Sequence, residues 1–143
     1  MLSRSGIHAV RALVKLANEP ARYCGAQSIA AATGAPRNYL GKLLQQLSRR
    51  GIVESQKGLG GGFRLARDPR DITLHDIVEP LEDLGRLSQC ILAHDACNVD
   101  APCAMHSRWV LVRESYLDML SRTTLADLQT GPLPDSLRGD GRN

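Results

Sequence analysis

The chain has 143 residues, 43% of them hydrophobic, and a formal net charge of +3 at pH 7. This length allows one domain with a real core, or a small domain plus an appendage, without any need for disulfides. No stretch approaches the roughly 20 apolar residues of a membrane-spanning helix, and charges at Arg11 and Lys15 interrupt the first apolar stretch, unlike a signal peptide. We therefore expect a cytoplasmic protein without a membrane partner, whose thiols stay reduced.

The positive charges are concentrated in the first half of the chain, and the pI is about 8.8. Scattered charge usually marks only a solvated surface, but a basic face also suits an anionic partner such as DNA. The residues that carry this charge include Arg37, Lys42, Arg49, Arg50, Lys57, Arg64 and Arg67.

The first half of the chain predicts three helices. Apolar residues recur at helical spacing from Ile7 to Leu16. Ser28 is a plausible N-cap for a short second helix that runs through Thr33 and ends at Gly34. A third helix over 36–50 starts with Pro36 in its first turn and buries its leucines on one face, before Gly51 stops it. Two short helices joined by a tight turn predict a helix-turn-helix.

A β-hairpin is predicted directly after the third helix. "IVESQK" and "FRLA" alternate apolar and polar residues, and the glycine-rich tip "GLGGG" separates them. No Lys-Ser/Thr pair and no suitable helix follow these glycines, which excludes a phosphate-binding P-loop. A helix-turn-helix followed by a hairpin is a winged helix, which binds DNA. The residues expected at DNA are Ser28, Pro36, Arg37, Asn38, Tyr39 and Lys42 on the helices, and Lys57, Gly60, Gly61 and Arg64 on the wing.

The second half predicts a short helix capped by Thr73 and a long helix that begins near Met105 or Ser107. The long helix carries an apolar stripe formed by Trp109, Val112, Tyr116 and Leu120. Such a stripe is often core, but a long amphipathic helix after a small DNA-binding domain also suits a symmetric dimer. "TTLADL" predicts a closing turn, and the Gly- and Pro-rich residues that follow predict a flexible tail.

Three of the four cysteines lie in one segment. Six residues separate Cys90 from Cys97, five separate Cys97 from Cys103, and two separate Cys103 from His106. Thiolates and imidazole suit zinc or an iron–sulfur cluster and are poor ligands for magnesium or calcium. The wide gaps lack the Cys-x-x-Cys knuckle common in structural zinc sites. A structural zinc site and three reduced thiols without a ligand remain alternatives, and Cys24 reads as an ordinary packed thiol.

These motifs in this order resemble the winged-helix regulators that include the iron–sulfur cluster regulator IscR and the nitric-oxide-sensitive repressor NsrR. The resemblance covers about residues 1–128 and is carried by "HAVRALVKLA", "YLGKLLQQLSRRGIVES", "KGLGGGFRLARDP", "ITLHDIV", the three cysteines and "TTLADL". It implies a homodimer with crossing C-terminal helices. It also implies a 2Fe–2S or 4Fe–4S cluster on three cysteines placed like Cys90, Cys97 and Cys103. The fourth ligand would be a histidine placed like His106, or a residue of the partner's first helix placed like His8.

Two features depart from the family pattern. The first cysteine gap has six residues where IscR-like proteins commonly have five, and Gly41 stands where they carry a polar base-reading side chain. The resemblance thus divides the chain into a winged helix-turn-helix domain (1–80), a cysteine-rich cluster-binding loop (81–106), a dimerisation helix with its closing turn (107–128) and a flexible tail (129–143).

The sequence predicts a homodimeric DNA-binding transcriptional regulator, in the form of a repressor. An iron–sulfur cluster that senses iron, nitric oxide or redox state would control its operator binding. The alternative is a zinc-stabilised or thiol-based redox regulator without a cluster. No nucleophile–base pair or carboxylate pair stands out, so no enzyme is predicted.

Overall fold

The computed structural model describes residues 1–93 and 95–134, and within them the fold is mainly α with one small β-hairpin. This confirms the predicted fold class. The helices are α1 (Arg4–Asn18), α2 (Ala26–Thr33), α3 (Arg37–Arg49), α4 (Leu74–Val78), α5 (His106–Arg122) and α6 (Leu125–Thr130), and the strands are β1 (Val53–Gln56) and β2 (Gly62–Leu65). Two short 3₁₀ helices, Pro69–Asp71 and Leu84–Ser88, lie before α4 and between α4 and the cysteine segment.

Helix α1 forms the centre of the core because its buried face is continuous. Ser3 caps its first turn by accepting a hydrogen bond from the N–H of Gly6. Helices α2, α3, α4 and α6 and strand β2 all pack against α1. The fully buried large side chains of this core are Leu13, Leu16, Ile29, Leu40, Leu44, Leu47, Ile52, Ile72, Ile77, Leu120, Leu125 and Val53.

Helices α2 and α3 form the predicted helix-turn-helix, with two corrections at their starts. The N-cap of α2 is Gly25, and Ser28 lies exposed in its first turn. The earlier start follows from Cys24, which exchanges two 2.8 Å backbone hydrogen bonds with Phe63 and so fixes the chain just before the helix. Pro36 is the N-cap of α3 rather than its first residue. Gly34 adopts the left-handed conformation (φ 72°) that ends α2, as predicted.

The wing is an antiparallel hairpin in which Val53 pairs with Leu65 and Glu54 with Arg64. Strand residues that point inward, such as Phe63 and Leu65, are buried against the helices. The bridge between Cys24 and Phe63 adds a short third strand contact at the inner edge. The wing is therefore fixed to the start of α2 as well as to the end of α3.

The chain after α5 returns to the first domain. Thr124 and Asp127 form a capping box at the start of α6, and Gln129 donates a 3.1 Å hydrogen bond to the carbonyl of Ala17 in α1. The predicted closing turn is thus a helix packed on α1. The prediction of a tail from residue 129 is wrong for Gln129 and Thr130, which end α6, and its residues 135–143 lie outside the described residues.

Within residues 1–93 and 95–134, no helix is both long enough and apolar enough to cross a lipid bilayer.

Candidate DNA-binding surface and cysteine cluster

Helix α3 presents a polar face to solvent. Leucines at helical spacing turn the other face into the core, which leaves the polar residues in a row along a shallow groove of about 920 Å³. Residues that line this groove include Arg37, Asn38, Tyr39, Gly41, Lys42, Gln45, Gln46 and Arg49. A helix of this kind, exposed on one side and basic at both ends, is suited to the major groove of DNA.

Tyr39 differs from the other helix residues predicted to contact DNA because it is half-buried. Its hydroxyl shares a short hydrogen bond with the hydroxyl of Ser5, and its ring meets the ring of His8 edge to face at 5.9 Å. Tyr39 therefore fixes the first turn of α3 against α1, whereas Arg37, Asn38 and Lys42 are exposed.

The wing tip carries the other predicted contacts. Lys57 and Gly60 are exposed, and Gly60 has a positive φ of 73°. Gly61 is half-buried, and its N–H is already bonded to the carbonyl of Gly58 at 3.0 Å. Gly61 therefore shapes the turn and has no free N–H to offer to a phosphate.

Arg64 lies on β2 between two partners in its own chain. It is paired with Glu54 on the neighbouring strand, and its guanidinium lies 4.4 Å from the ring centroid of Tyr23. Its side chain is 36% exposed. Arg64 is therefore held in place on the wing, with one face open to solvent.

Sequence reasoning missed several residues of this surface. Gln45 and Gln46 lie one turn after Gly41 and Lys42 on the same exposed face of α3, and Arg49 follows one turn later. Their spacing was the signal that could have identified them. Leu59 at the wing tip projects fully into solvent. An exposed apolar side chain on a wing is the type that minor-groove proteins insert between base steps.

The cysteine segment brings three thiols together. The thiols of Cys97 and Cys103 both lie close enough to the thiol of Cys90 to influence its pKa. Hydrogen bonds from the backbone of Leu92 and then of Ala93, together with those from the two thiols, lower the pKa of Cys90. Desolvation and the neighbouring charge of Cys90 raise the pKa of Cys97. Of these two thiols, Cys90 is therefore the one that ionises more readily.

This segment is anchored to α5 and closed by its own backbone. The indole N–H of Trp109 donates a 2.9 Å hydrogen bond to the carbonyl of Gln89, and the N–H of Cys90 donates a 2.8 Å bond to the carbonyl of Asp95. At the other end, the N–H of His106 donates to the carbonyl of Cys103 at 3.0 Å. Trp109 and His106 thus connect both ends of the segment to the first turn of α5.

A complete metal site is not formed within the described residues, where no group of three His, Cys, Asp or Glu side chains is arranged to hold a metal ion. The three thiols are neighbours, but they do not share one coordination geometry. Cys24 is a separate thiol, buried in the core and within hydrogen-bond reach of Glu19 at 3.4 Å.

The two candidate histidines lie in different surroundings. His106 is the first residue of α5 and is half-buried beside the cysteine segment. His8 packs against Tyr39, and its Nδ1 is buried without a hydrogen-bond partner among the described residues. Burial lowers the pKa of His8, and the positive charges of Arg11 and Arg4 lower it further. His8 is therefore mainly neutral at pH 7. Within the described residues, His106 is the one of these two histidines that is hydrogen-bonded to the cysteine segment.

Comparisons with known proteins agree with this geometry. The Rrf2 family model, described as an iron-dependent transcriptional regulator, matches residues 2–131. A relative from Aquifex aeolicus (strain VF5), named as a candidate HTH-type transcriptional regulator, is 37% identical over 123 residues, which are 85% of each chain. CymR, the global cysteine regulator of B. subtilis, superimposes with a TM-score of 0.77 and 28% identity over 91% of this chain and 96% of its own. The T. potens IscR structure gives a TM-score of 0.72 and 32% identity over 90% and 85%.

Proposed function

We propose that this chain, which belongs to the Rrf2 family of transcriptional regulators, is a homodimeric repressor whose operator binding is controlled by an iron–sulfur cluster. Membership confirms the resemblance to the regulators that include IscR, and the family and its relatives are DNA-binding regulators rather than enzymes. The finer assignment depends on the cysteine segment and on α5.

The observation that carries the proposal is the meeting of three thiols. Cys90, Cys97 and Cys103 are far enough apart in sequence to form a loop, yet the two later thiols both lie close enough to the first to influence its pKa. Three soft sulfur donors at a surface-exposed place fit a 2Fe–2S or 4Fe–4S cluster. When bound, such a cluster supplies chemistry that responds to iron supply, nitric oxide and redox state. The proximity of the thiols supports this assignment.

A fourth ligand is needed, and we assign it to His106. Its backbone is hydrogen-bonded to Cys103, so its side chain starts from the edge of the same loop. His8 is the rival, as a ligand from the partner chain. Its Nδ1 is buried, and its ring packs against Tyr39 of α3, so that nitrogen is not exposed to a cluster on another chain.

The dimer is proposed to form through α5. This helix has 17 residues, yet Leu120 is its only fully buried residue, and Leu111, Val112 and Met119 are 67%, 58% and 49% exposed. Exposed apolar residues grouped on one long helix favour association with a second copy. Two chains related by a two-fold axis would then present two α3 helices to half-sites about one helical turn apart, near 34 Å.

Contacts within the chain suggest how the cysteine segment acts on DNA binding. The carboxylate of Glu82, which lies just before the 3₁₀ helix that leads to Cys90, accepts hydrogen bonds from the N–H and the hydroxyl of Ser3, both at 2.7 Å. The first turn of α1 also holds Tyr39 through Ser5. A rearrangement of the segment can therefore shift α1 and α3 together, which would change the populations of DNA-binding and non-binding dimers.

Anaerobic purification tests the proposal. We expect brown protein that contains iron and acid-labile sulfide, and each of the variants Cys90→Ala, Cys97→Ala and Cys103→Ala should lose the visible absorption. Cys24→Ala is the matched control and should keep it, because Cys24 is buried in the core. Loss of colour in Cys24→Ala together with a normal Cys97→Ala would refute the assignment of the loop.

A thiol-based redox regulator is the second candidate function. The lowered pKa of Cys90 favours it, since a thiolate beside two thiols is the reactive form in disulfide exchange. Similarity to the global cysteine regulator CymR also supports it. Colourless protein, with operator binding that is lost on oxidation and restored by dithiothreitol, would favour this function. One zinc per chain would favour the zinc-stabilised form.

A further inference from the structure

Gly41 lies in the interior of α3, and no contact among the described residues explains a glycine there. The described glycines at 34, 51, 58, 60 and 62 have positive φ. In α1, a Cβ on Gly6 would collide with the Glu82 carboxylate. At Gly41, in the interior of α3, φ is not positive and a Cβ would meet nothing within 4 Å. Glycine destabilises a helix relative to alanine. Among the described residues, no contact at Gly41 offsets this loss of stability.

The position of Gly41 shows what lies opposite it. Gly41 is one turn after Arg37 and Asn38 and one turn before Gln45, in the row that lines the groove on the exposed face of α3. Its neighbours in that row carry polar or charged side chains, so Gly41 forms a notch between them. In the winged-helix arrangement this face of α3 is turned toward the DNA.

The groups that Gly41 exposes at this notch determine which part of the DNA it can contact. Gly41 is the fifth residue of α3, so its N–H and C=O are both in the hydrogen bonds of the helix. It therefore offers neither a donor for a phosphate nor a partner for a polar base edge. What remains is a small apolar surface, the Cα methylene, in a recess as deep as one side chain. The apolar group that the major groove presents is the C5-methyl of thymine.

We propose that Gly41 is a specificity-determining residue that receives a thymine methyl group, and so selects one A·T pair in each operator half-site. This inference rests on the proposed DNA-binding function and adds to it the identity of one base contact. A side chain at position 41 would occupy the space of the methyl group and separate α3 from the bases.

The test removes single methyl groups from DNA. Duplexes enriched by the wild-type dimer from a random library supply the operator, and each dT is replaced in turn by dU, which lacks only the methyl. For the wild type, one symmetric pair of dU positions should weaken binding by roughly fourfold per half-site, as expected for loss of one buried methyl. Gly41→Ala should bind the unmodified operator about tenfold more weakly and lose its preference for dT over dU at that position.

Protein stability separates this effect from misfolding. Gly41→Ala should raise the melting temperature, by about 4 °C for a domain of this size, while DNA binding falls. Gln45→Ala, one turn along the same face, is the matched control and should keep the dT preference at the position assigned to Gly41. If the wild type enriches an operator but Gly41→Ala binds it equally well with the same dU profile, this inference is overturned. If no duplex is enriched by the wild type, the proposed DNA-binding function itself fails.

Discussion

The DNA-binding half of the chain and the cysteine segment with α5 are stabilised in different ways. From Ala9 to Val78, large apolar side chains fill a continuous core to which every α-helix and both strands of this range contribute buried residues. From residue 84 to 119, the described residues include no buried one, and the segment relies on single hydrogen bonds such as Trp109 to Gln89. The described part of the first half buries its own core within a single chain. The second half leaves apolar side chains of α5 and the three thiols exposed or half-buried, as the proposed dimer interface and cluster site require.

A charge on the exposed stripe of α5 should have the largest effect, because it tests whether this helix forms the dimer interface. Val112→Glu should weaken the dimer by about 100-fold or more, because an unpaired carboxylate in an apolar interface costs several kcal/mol. The melting of the DNA-binding half should change little, since Val112 is 58% exposed in the single chain. Sedimentation at micromolar concentration measures the first effect and far-ultraviolet circular dichroism the second.

Ser121→Glu provides the control, because it adds the same charge at an exposed position on another side of α5. It should remain dimeric. A dimer that survives Val112→Glu but dissociates in Ser121→Glu would move the interface to the other face of the helix.

The two candidate histidines lie in different halves, so substituting each one tests which half supplies the fourth ligand. His106→Ala should change the cluster spectrum and shorten its lifetime by about tenfold or more, the usual size of a lost ligand or supporting contact. His8→Ala should leave both nearly intact, since His8 is packed on Tyr39 in the DNA-binding half. Anaerobic absorption spectra and decay rates in air measure the difference. A normal His106→Ala beside a defective His8→Ala would transfer the fourth ligand to helix α1 of the partner chain.

Substitutions at two basic residues of the DNA-binding half should distinguish an exposed side chain, Lys42, from one that is paired with an acidic residue, Arg64. Lys42→Ala and Arg64→Ala should each weaken operator binding and reduce the salt slope by about one unit, if each neutralises one phosphate. Arg64→Ala should cost more affinity for the same slope, because it leaves the Glu54 carboxylate unpaired on the wing. Glu54→Gln should strengthen binding by freeing Arg64. Fluorescence anisotropy over a salt series tests this, and unchanged affinity and slope in both single variants would remove the winged-helix docking.

Local signals account for what the sequence could predict. Some features act within one or two helical turns, so the sequence pattern predicts them. They are the leucines of α3, the left-handed Gly34 and the Thr73 cap. Ser28 was a good N-cap by type, yet with Cys24 bridged to Phe63 the N-cap is Gly25 instead. Such tertiary constraints override local preference.

Long-range contacts account for most of what the sequence could not predict. Hydrogen bonds join Glu82 to Ser3, which is 79 positions away in the sequence, and Gln129 to Ala17, which is 112 positions away. No local pattern marks either pair. For the candidate site, spacing identified the three cysteines as a group, but only the fold shows that the other two thiols lie close enough to Cys90 to influence its pKa. The packing of His8 on Tyr39 is likewise a product of tertiary structure.

Helix α6 gives the smallest predicted effect and tests where the boundary between the two halves lies. It follows α5 in sequence, but Leu125 is buried and Gln129 binds α1, so it belongs to the DNA-binding half. Thr124→Ala removes the capping box and should destabilise that half by about 1 kcal/mol, without changing the dimer or the visible spectrum. Ser121→Ala, at an exposed serine of α5, should change none of these.

The capping box also predicts a pH dependence. Hydrogen bonds from the backbone and side chain of Thr124 lower the pKa of Asp127 below its usual 3.8. A carboxylate with a lowered pKa stabilises the folded state above its unfolded pKa and loses that contribution as the pH falls through the folded value. The stability difference between wild type and Thr124→Ala should therefore be constant near neutrality and shrink below about pH 4. Urea denaturation at pH 7 and pH 3 measures it, and a difference that grows in acid would show that Asp127 does not support the cap.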